Sequence, residues 1–405
     1  MTEENKIVKQ LEHLDKWFEN NDYQGYDIYD LFDVKLFHNL ITNKPLIVRK
    51  INRKVIQHFI NLFPNFIIKI FDIKKNINPK AMGLLLKGYC NFYKITSQDI
   101  YKNKAIKIAS WLLNNKSAGL RGYGWGYPFN WSGSKFIPKY TPSSVVTAIV
   151  GDGLYNLFKI TNDLIYIDAC KNICNFFIYD LNIDKIDKEK ICFSYTPIDN
   201  DHVHNANLFA SEFLIRIGKE FSEKKFVDYG IKAVNYTINE QNSDGSIFYW
   251  GIQDNRFLKF TFSKIDHYHA GFELRKLWCI MNLLNETKIK ISFDKYYTFY
   301  RNNLIGNKFF YQRPQKTNPI NIHSCAEFII CNSIIYNGIN LESKWFKEIF
   351  NKICNEMLDK DGLFKFEVRK YSIFKIQNKF KFFRWSQAWM FLALSEYLFA
   401  KKVNE

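Results

Sequence analysis

Histidines are the residues of this sequence whose placement most strongly suggests chemistry. Eight occur in the chain, and five lie after residue 200: His202, His204, His267, His269 and His323. Imidazole titrates near neutral pH, so it can both accept and donate a proton there. We predict that His204 and His269 are catalytic and face one shared site. His-x-His spacing also occurs in zinc sites, but a complete site needs three or four ligands, and we expect no metal.

The segment YTPIDNDHVHNANL, which begins at Tyr195, has the highest density of polar side chains. A phenol such as Tyr195 can serve as acid or base when its surroundings shift its pKa. The amide of Asn205 can donate to a carboxylate or to a developing enolate. Alternatively, Asn205 and Asn207 only cap a helix. We predict a catalytic role for Tyr195 and a substrate-binding role for Asn205.

The segment IDHYHAGFEL, from Ile265, adds a carboxylate beside two imidazoles. Asp266 could be a general acid or could orient His269, so we predict that it is catalytic, and that His267 binds substrate. Asp244 and Asp266 together would instead support glycoside hydrolysis by two carboxylates. Asp244 also reads as a turn residue, because a glycine follows it.

Aromatic and cationic side chains complete the candidate site. RGYGWGYPFNW and FFRWSQAWM are rich in aromatic residues, whose flat faces suit sugar rings, and each contains an arginine that could bind a carboxylate or phosphate. The predicted substrate-binding residues in these segments are Arg121, Trp125, Tyr127, Arg384, Trp385 and Gln387.

An internal repeat predicts the elements that position these residues. Six apolar helical segments recur at intervals of 54 to 65 residues, starting at Pro79, Ser143, His204, His269, His323 and Ser386. Helices that are apolar around their whole circumference are buried, whereas the stretches between them have one polar face. The repeat predicts an all-α fold, an (α/α)6 toroid of six helical hairpins over residues 76–400, with an N-terminal helical arm over residues 1–75. An open solenoid of helix pairs is the alternative.

Composition excludes several classes of protein. Hydrophobic residues make up 47% of the 405 residues and aromatic residues 18%, so the chain can bury a large core and is not disordered. The net charge of +17 comes without a nucleic-acid-binding motif, so we expect no nucleic-acid partner. The eight cysteines form no CxxC pair, and the N-terminus lacks the apolar stretch of a signal peptide. We therefore predict a cytoplasmic protein with free thiols.

The N-terminal arm has a distinct pattern. Residues 53–75 are strongly apolar and are flanked by Arg53, Lys54, Lys69, Lys74 and Lys75. Such a segment can pack on the toroid, or it can lie on an anionic membrane surface. We predict peripheral contact with the inner membrane through this segment.

Several segments together resemble a known family. They are, in chain order, GYDIYD, NPKAMGLLL, GWGYPF, TPSSVVTA, HNANL, QNSDGS, DHYHAGFEL and RWSQAW. This set, spanning about residues 25–397, resembles poorly characterised bacterial proteins from surface-polysaccharide gene clusters. More distantly, the chain is similar to six-hairpin glycosidases, to α/α-toroid lyases and to the C-terminal domain of glucuronyl C5-epimerases. Ile28 stands where relatives often have proline, and Cys325 argues against a catalytic fifth helix start.

The resemblance implies an enzyme that processes capsule or O-antigen glycans. Its substrate would be an anionic saccharide, linked to a lipid or to a nucleotide, and its reaction would be proton abstraction, as in a uronate C5-epimerase or lyase. Such a reaction requires no organic cofactor. Two alternatives stay open: a glycoside hydrolase or transferase with paired carboxylates, and a non-enzymatic scaffold that binds glycans or polyprenyl lipids.

Overall fold

The structure is a computed structural model that describes residues 3–42, 44–132, 136–252, 265–306 and 309–404. In these ranges the α-helices are α1 (Glu3–Asn20), α2 (Lys35–Ile41), α3 (Leu46–Leu62), α4 (Pro64–Ile70), α5 (Pro79–Thr96), α6 (Asp99–Asn114), α7 (Ser144–Thr161), α8 (Leu164–Tyr179), α9 (His204–Glu220), α10 (Lys224–Asn239), α11 (His267–Leu284), α12 (Thr287–Leu304), α13 (Ile322–Ile334), α14 (Lys344–Met357) and α15 (Trp389–Asn404).

Six helices form a closed inner ring. Helices α5, α7, α9, α11, α13 and α15 each pack against the next, and α15 packs against α5. Helices α6, α8, α10, α12 and α14 pack outside the ring, each against the inner helix that it follows or precedes, and α1 packs against α15. The predicted (α/α)6 toroid is therefore confirmed, and α1 supplies its twelfth helix.

The inner helices begin within three residues of the predicted starts. The differences come from capping residues. Asp266 caps α11 by accepting a hydrogen bond from the backbone N–H of His269 at 3.1 Å, so this helix begins at His267. Asn321 caps α13 in the same way, with the N–H of His323 at 3.0 Å. Before α15, residues Phe383–Ala388 form a π-helical turn.

A single left-handed residue joins inner to outer helices in four consecutive hairpins. These residues are Ser97 (φ 58°), Asn162 (φ 55°), Ser222 (φ 57°) and Asn285 (φ 54°). The left-handed conformation ends a helix and reverses the chain within a few residues, and a short polar side chain tolerates it. The fifth hairpin has a longer connection, which contains three consecutive left-handed residues, 336 to 338.

Short strands and turns surround one end of the ring, which we call the mouth. The strands are β1 (Trp131–Ser132), β2 (Phe136–Ile137), β3 (Ile183–Lys185), β4 (Ile191–Phe193), β5 (Ile320–Asn321), β6 (Glu367–Lys370) and β7 (Lys375–Asn378). They pair antiparallel as β1–β2, β3–β4 and β5–β6–β7. In the Asp244-Gly245 and Asp361-Gly362 turns, the glycines have φ values of 87° and 75°, a conformation that glycine adopts without steric cost.

The N-terminal segment packs on the toroid at several points. The Asp15 carboxylate of α1 accepts hydrogen bonds from the Tyr89 hydroxyl at 2.7 Å and from the Lys104 ammonium at 2.7 Å. Ile60 on α3 and Ile67 on α4 are fully buried in the main core. The predicted domain boundary at residues 75/76 stays a prediction.

Midway along the inner helices, charged side chains from several of them meet inside the ring. The Lys276 ammonium lies 2.6 Å from a Glu212 oxygen and 3.2 Å from an Asp152 oxygen. Arg216 pairs with the same two carboxylates. Two further pairs lie alongside: the buried pair Arg275–Glu327 at 2.6 Å and the partly buried pair Lys87–Glu396 at 2.8 Å. We call Asp152, Glu212, Arg216 and Lys276 the buried ion cluster.

Capping of an outer helix gives a simple stability prediction. The Asp163 side chain accepts a hydrogen bond from the Ile165 N–H at 3.0 Å at the start of α8. We expect Asp163→Ala to lower the free energy of unfolding by about 1 kcal/mol in urea denaturation. Asp168→Ala, which changes an exposed carboxylate within the same helix, is the control and should change that free energy by at most about 0.5 kcal/mol, because alanine is the better helix former. Equal losses would contradict the capping role.

Candidate functional site

The mouth of the ring opens into a cavity of about 130 Å³, which we call the funnel cavity. Its described lining combines nine aromatic rings with two cations, two imidazoles and one amide. These residues are Tyr29, Lys80, Tyr127, Phe129, Trp131, Val145, Tyr195, Asn205, Tyr249, Tyr268, His269, Phe272, His323, Arg384 and Trp385. Among the described residues, none of those that line the cavity is a carboxylate.

The lining follows the repeat. The second residue of five inner helices lies in it: Lys80, Val145, Asn205, Tyr268 and His323. Because the helices start at the same end of the ring, the same position of each presents its side chain to the axis.

Asp266 holds the His269 imidazole. The Nδ1 atom of His269 lies 2.7 Å from Oδ2 of Asp266, while Oδ1 of the same carboxylate caps the helix. The carboxylate therefore accepts the Nδ1 proton, fixes the ring and stabilises a positive charge on it. This leaves Nε2 as the atom that can exchange a proton with a bound ligand. The Tyr249 ring packs beside it, with centroids 4.5 Å apart.

His323 is buried in the cavity wall without a partner for its ring nitrogens. It is 2% exposed, and neither nitrogen has a hydrogen-bond partner among the described residues. It stacks on Tyr268 at 4.5 Å and packs against Trp389 at 4.5 Å. Burial, together with Lys80 and Arg384, holds the pKa of His323 well below its usual value. The ring is therefore neutral, and its two nitrogens can meet a ligand that supplies the missing partners.

Lys80 and the tyrosines form a second polar group. Lys80 is 4% exposed, and its ammonium lies 3.3 Å from the Tyr127 hydroxyl. Burial and the neighbouring Arg384 hold the pKa of Lys80 well below its usual value. Burial raises the pKa of Tyr127 to about 12 and that of Tyr195 well above its usual value, and the two hydroxyls are hydrogen-bonded. Both phenols are therefore protonated at neutral pH and act as donors rather than as bases.

Arg384 is paired before any ligand binds. Its Nε and Nη2 atoms bond the two oxygens of Asp27, the latter at 2.8 Å. Asp27 also accepts a hydrogen bond from the Tyr29 N–H at 3.1 Å, so the GYDIYD loop fixes both groups. The guanidinium lies over the Trp385 ring, 4.9 Å from its centroid. Arg384 is therefore paired with a carboxylate, whereas the described partner of Lys80 is the Tyr127 hydroxyl.

Seven of the thirteen predicted site residues come together here. His269, Tyr195, Tyr127, Asn205, Arg384 and Trp385 line the cavity, and Asp266 contacts His269. The Oδ1 atom of Asn205 is buried without a partner among the described residues, so it too can meet a ligand.

The other predicted residues lie outside the lining. His204, predicted to share the site with His269, instead bonds Thr237 at 3.2 Å and Glu240 at 3.1 Å. His267 bonds the Tyr300 hydroxyl at 2.9 Å, and burial lowers its pKa to about 3. Both histidines thereby tie an inner helix to its outer partner.

Three further predicted residues have structural contacts. Asp244 accepts hydrogen bonds from the N–H and hydroxyl of Ser246 within its turn. The Trp125 indole donates to the Leu112 carbonyl at 2.9 Å. Gln387 bonds both backbone groups of Phe364.

Arg121 is the last of the predicted residues outside the lining. It is exposed, and its N–H donates to Asp180. The six predicted residues that neither line the cavity nor bond to the His269 imidazole are therefore Arg121, Trp125, His204, Asp244, His267 and Gln387.

The residues that sequence reasoning missed are Lys80, His323, Tyr29 and Tyr268. His323 of the fifth helix start lies in the lining and Cys325 does not, so the expectation that Cys325 argues against a catalytic fifth helix start stays a prediction. For Lys80, Tyr268 and His323, the signal that could have found them is their place as the second residue of an inner helix, whereas Tyr29 lies in the GYDIYD loop. Among the described residues, no group of three His, Cys, Asp or Glu side chains is arranged to hold a metal ion.

Solved structures of other proteins share this fold. The GH76 α-mannanase of Bacteroides thetaiotaomicron gives a TM-score of 0.57 at 12% identity, over 81% of this chain and 88% of that chain. A sugar epimerase from a ruminal bacterium gives 0.58 at 11% identity, over 80% and 90%. A D-mannose isomerase gives 0.59 at 12% identity, over 80% and 87%. At these identities the likeness establishes the six-hairpin α/α toroid.

Sequence comparison adds no family. No protein-family model matches the chain, and no curated protein matches it. The resemblance to a surface-polysaccharide family therefore stays a prediction, whereas the toroid that it implied is confirmed.

Proposed function

We propose that the protein is a carbohydrate-active enzyme that transfers a proton on an anionic sugar, as a uronate epimerase or lyase does. The observation that carries this proposal is the funnel cavity itself: an imidazole held by a carboxylate, two cations and aromatic walls, with no carboxylate in the described lining. Aromatic faces suit sugar rings, and the cations suit an acidic group. A sugar epimerase and a D-mannose isomerase are among the proteins of the same fold.

In this proposal His269 is the base. Its Nε2 takes the proton from the sugar carbon next to the carboxylate, and Asp266 stabilises the imidazolium that forms. The electron pair left on carbon moves into the carboxylate as an enolate. The Lys80 ammonium and the Arg384 guanidinium then stabilise the added negative charge, and the Asn205 amide can donate to it.

The proton returns from the opposite wall. In a ring of six helices the first and fourth inner helices face each other, and these carry Lys80 and His269. Burial and Arg384 hold the pKa of Lys80 well below its usual value, so its ammonium, hydrogen-bonded to Tyr127, gives up a proton more readily than an exposed lysine does. Removal from one face and return to the other inverts the carbon, which is epimerisation. If instead the enolate forms a C4–C5 double bond while the C4–O bond breaks, the leaving oxygen takes a proton, no proton returns to C5, and the reaction is elimination.

Two further parts of the proposal rest only on the family resemblance. The sugar would be part of a capsule or O-antigen precursor, carried on a lipid or a nucleotide. The protein would work in the cytoplasm.

Glycoside hydrolysis is the alternative, because a GH76 α-mannanase shares the fold. That reaction uses two carboxyl groups on either side of the bond. Asp266 is hydrogen-bonded to the His269 imidazole, and Asp244 accepts a hydrogen bond from the Ser246 hydroxyl within its own turn. The described lining therefore favours proton transfer over hydrolysis.

Hydrogen exchange tests the proposed chemistry without knowledge of the product. The protein is incubated in D2O with free hexuronates, with nucleotide-linked hexuronates and with neutral hexoses, and deuterium at carbon is followed by NMR. We expect deuterium at C5 of at least one uronate and none in the neutral sugars. Exchange in neutral hexoses only would contradict the anionic substrate. Glycoside cleavage with no exchange would contradict proton transfer.

A further inference from the structure

The helical arm exposes an unusual amount of apolar surface. Of the twenty-eight large apolar side chains that are exposed in the described chain, twelve lie between residues 36 and 71. On α3 they recur at helical spacing as Val48, Ile51, Val55, Phe59 and Leu62, each between 37% and 61% exposed. This spacing places them along one face of the helix.

Phe63, between the two helices, and Phe66 and Ile70 of α4 continue the same surface and are 51%, 56% and 57% exposed. The Phe59 ring of α3 packs against Phe63 and Phe66, with centroids 5.5 and 6.3 Å apart. We call the exposed apolar residues of α3, Phe63 and α4 the apolar face. A contiguous apolar surface that is exposed to water is unfavourable, so an exposed patch of this size indicates a binding partner.

The opposite side of α3 packs against the rest of the chain. Ile56 and Ile60 are buried in the core. Arg53 and Gln57 line a groove beside the mouth that they share with Trp385 of the funnel cavity. One helix therefore borders the candidate site with its inner side and carries the apolar face on its outer side.

Charge identifies the occupant of the apolar face. Residues 34–71 contain no Asp or Glu and seven basic residues: Lys35, Lys44, Arg49, Lys50, Arg53, Lys54 and Lys69. Two such segments would repel each other, which disfavours a second copy of this chain as the partner. Anionic lipid headgroups attract basic side chains while the acyl boundary accepts apolar ones. None of the described helices has the length and hydropathy needed to cross a bilayer.

We propose that α3 and α4 form a peripheral docking surface for an anionic bilayer. The apolar face enters the headgroup–acyl boundary, and the basic side chains contact the headgroups. Because α3 borders the groove at the mouth, docking brings the mouth to the membrane surface. The docking itself does not depend on which reaction occurs in the funnel cavity.

Vesicle flotation tests the proposal with matched variants. The full chain is mixed with vesicles of phosphatidylcholine alone or with about 30% phosphatidylglycerol, at low and high salt. We expect at least about tenfold more protein to float with the anionic vesicles at low salt. Ile51→Glu with Phe66→Glu should abolish flotation. The control, Ile291→Glu with Phe374→Glu, changes residues that are equally exposed (51% and 54%) elsewhere and should float like the unchanged protein.

Other outcomes would overturn the proposal. Equal flotation of the Ile51/Phe66 and the control variants would place binding elsewhere. No flotation of the unchanged protein, together with a dimer in light scattering that Ile51→Glu with Phe66→Glu dissociates, would identify a second copy as the occupant. Both variants change exposed side chains, and circular dichroism checks that they fold.

Discussion

His269→Gln is expected to lower kcat about a thousandfold, the range for removal of a general base. Glutamine keeps a polar side chain of similar size next to Asp266, so binding of the sugar and the start of α11 should persist. The loss should therefore fall on kcat and on deuterium exchange at carbon, with KM little changed. The uronate that exchanges with the unchanged protein serves as the probe.

His204→Gln is the matched control, because sequence alone predicts both histidines to be catalytic. His204 is 2% exposed and bonded to Thr237 and Glu240, outside the funnel cavity. We expect this variant to melt at a lower temperature but to keep its kcat once folded. If the His204 variant loses turnover at an unchanged melting temperature while the His269 variant keeps it, the roles assigned to these residues are reversed.

The contrast between these two histidines explains what sequence could predict of the site. Each helix residue is rotated by about 100° from the one before it. His204 and His267 are the first residues of their helices and point to outer helices, where they meet Thr237 and Tyr300. The second residues point to the ring axis. An error of one or two residues in a helix start therefore exchanges a cavity residue for a structural one.

The fold was predictable for a different reason. Its signal is spread over six apolar segments, so an error of two residues at one start leaves the period unchanged. That period predicts a closed ring but leaves an open solenoid possible, and the packing of α15 against α5 establishes the closure. The start of α11, in contrast, depends on a single cap by Asp266, which the sequence did not reveal.

Protonation states were the least predictable property. Tyr195 has the right chemistry for a base, but burial and the Tyr127 hydroxyl raise its pKa, so it remains protonated. Lys80 lies in an apolar stretch of sequence, and its lowered pKa depends on burial and on Arg384, which is distant in the chain. Such shifts arise from three-dimensional neighbours that a repeat pattern does not specify.

Lys276→Met is expected to lower the free energy of unfolding by about 3–5 kcal/mol at pH 7. Lys276 lies between Glu212 and Asp152 in the buried ion cluster and is 3% exposed. Methionine fills the space of the stem but leaves only Arg216 to balance two buried carboxylates. Urea denaturation measures the loss. Lys159→Met breaks an exposed pair with Glu220 at 3.0 Å, and should cost at most about 1 kcal/mol.

The same variant should become more sensitive to acid. Burial alone would raise the pKa of Asp152, but Lys276 and Arg216 outweigh it and hold that pKa well below its usual value; Glu212 is lowered by the same two cations. A carboxyl with a lowered pKa adds stability above its unfolded pKa of about 4, and this stability is lost as the pH falls. Without Lys276 both pKa values rise, so acid unfolding should begin at a higher pH.

A second substitution separates charge imbalance from lost packing. If Lys276→Met destabilises because a carboxylate is left uncompensated, adding Glu212→Gln removes the excess charge and should recover part of the loss. Arg216 then balances Asp152 alone, a pair that the fold already contains. Further destabilisation by Glu212→Gln would mean that the hydrogen bonds of Glu212, rather than its charge, hold these inner helices together.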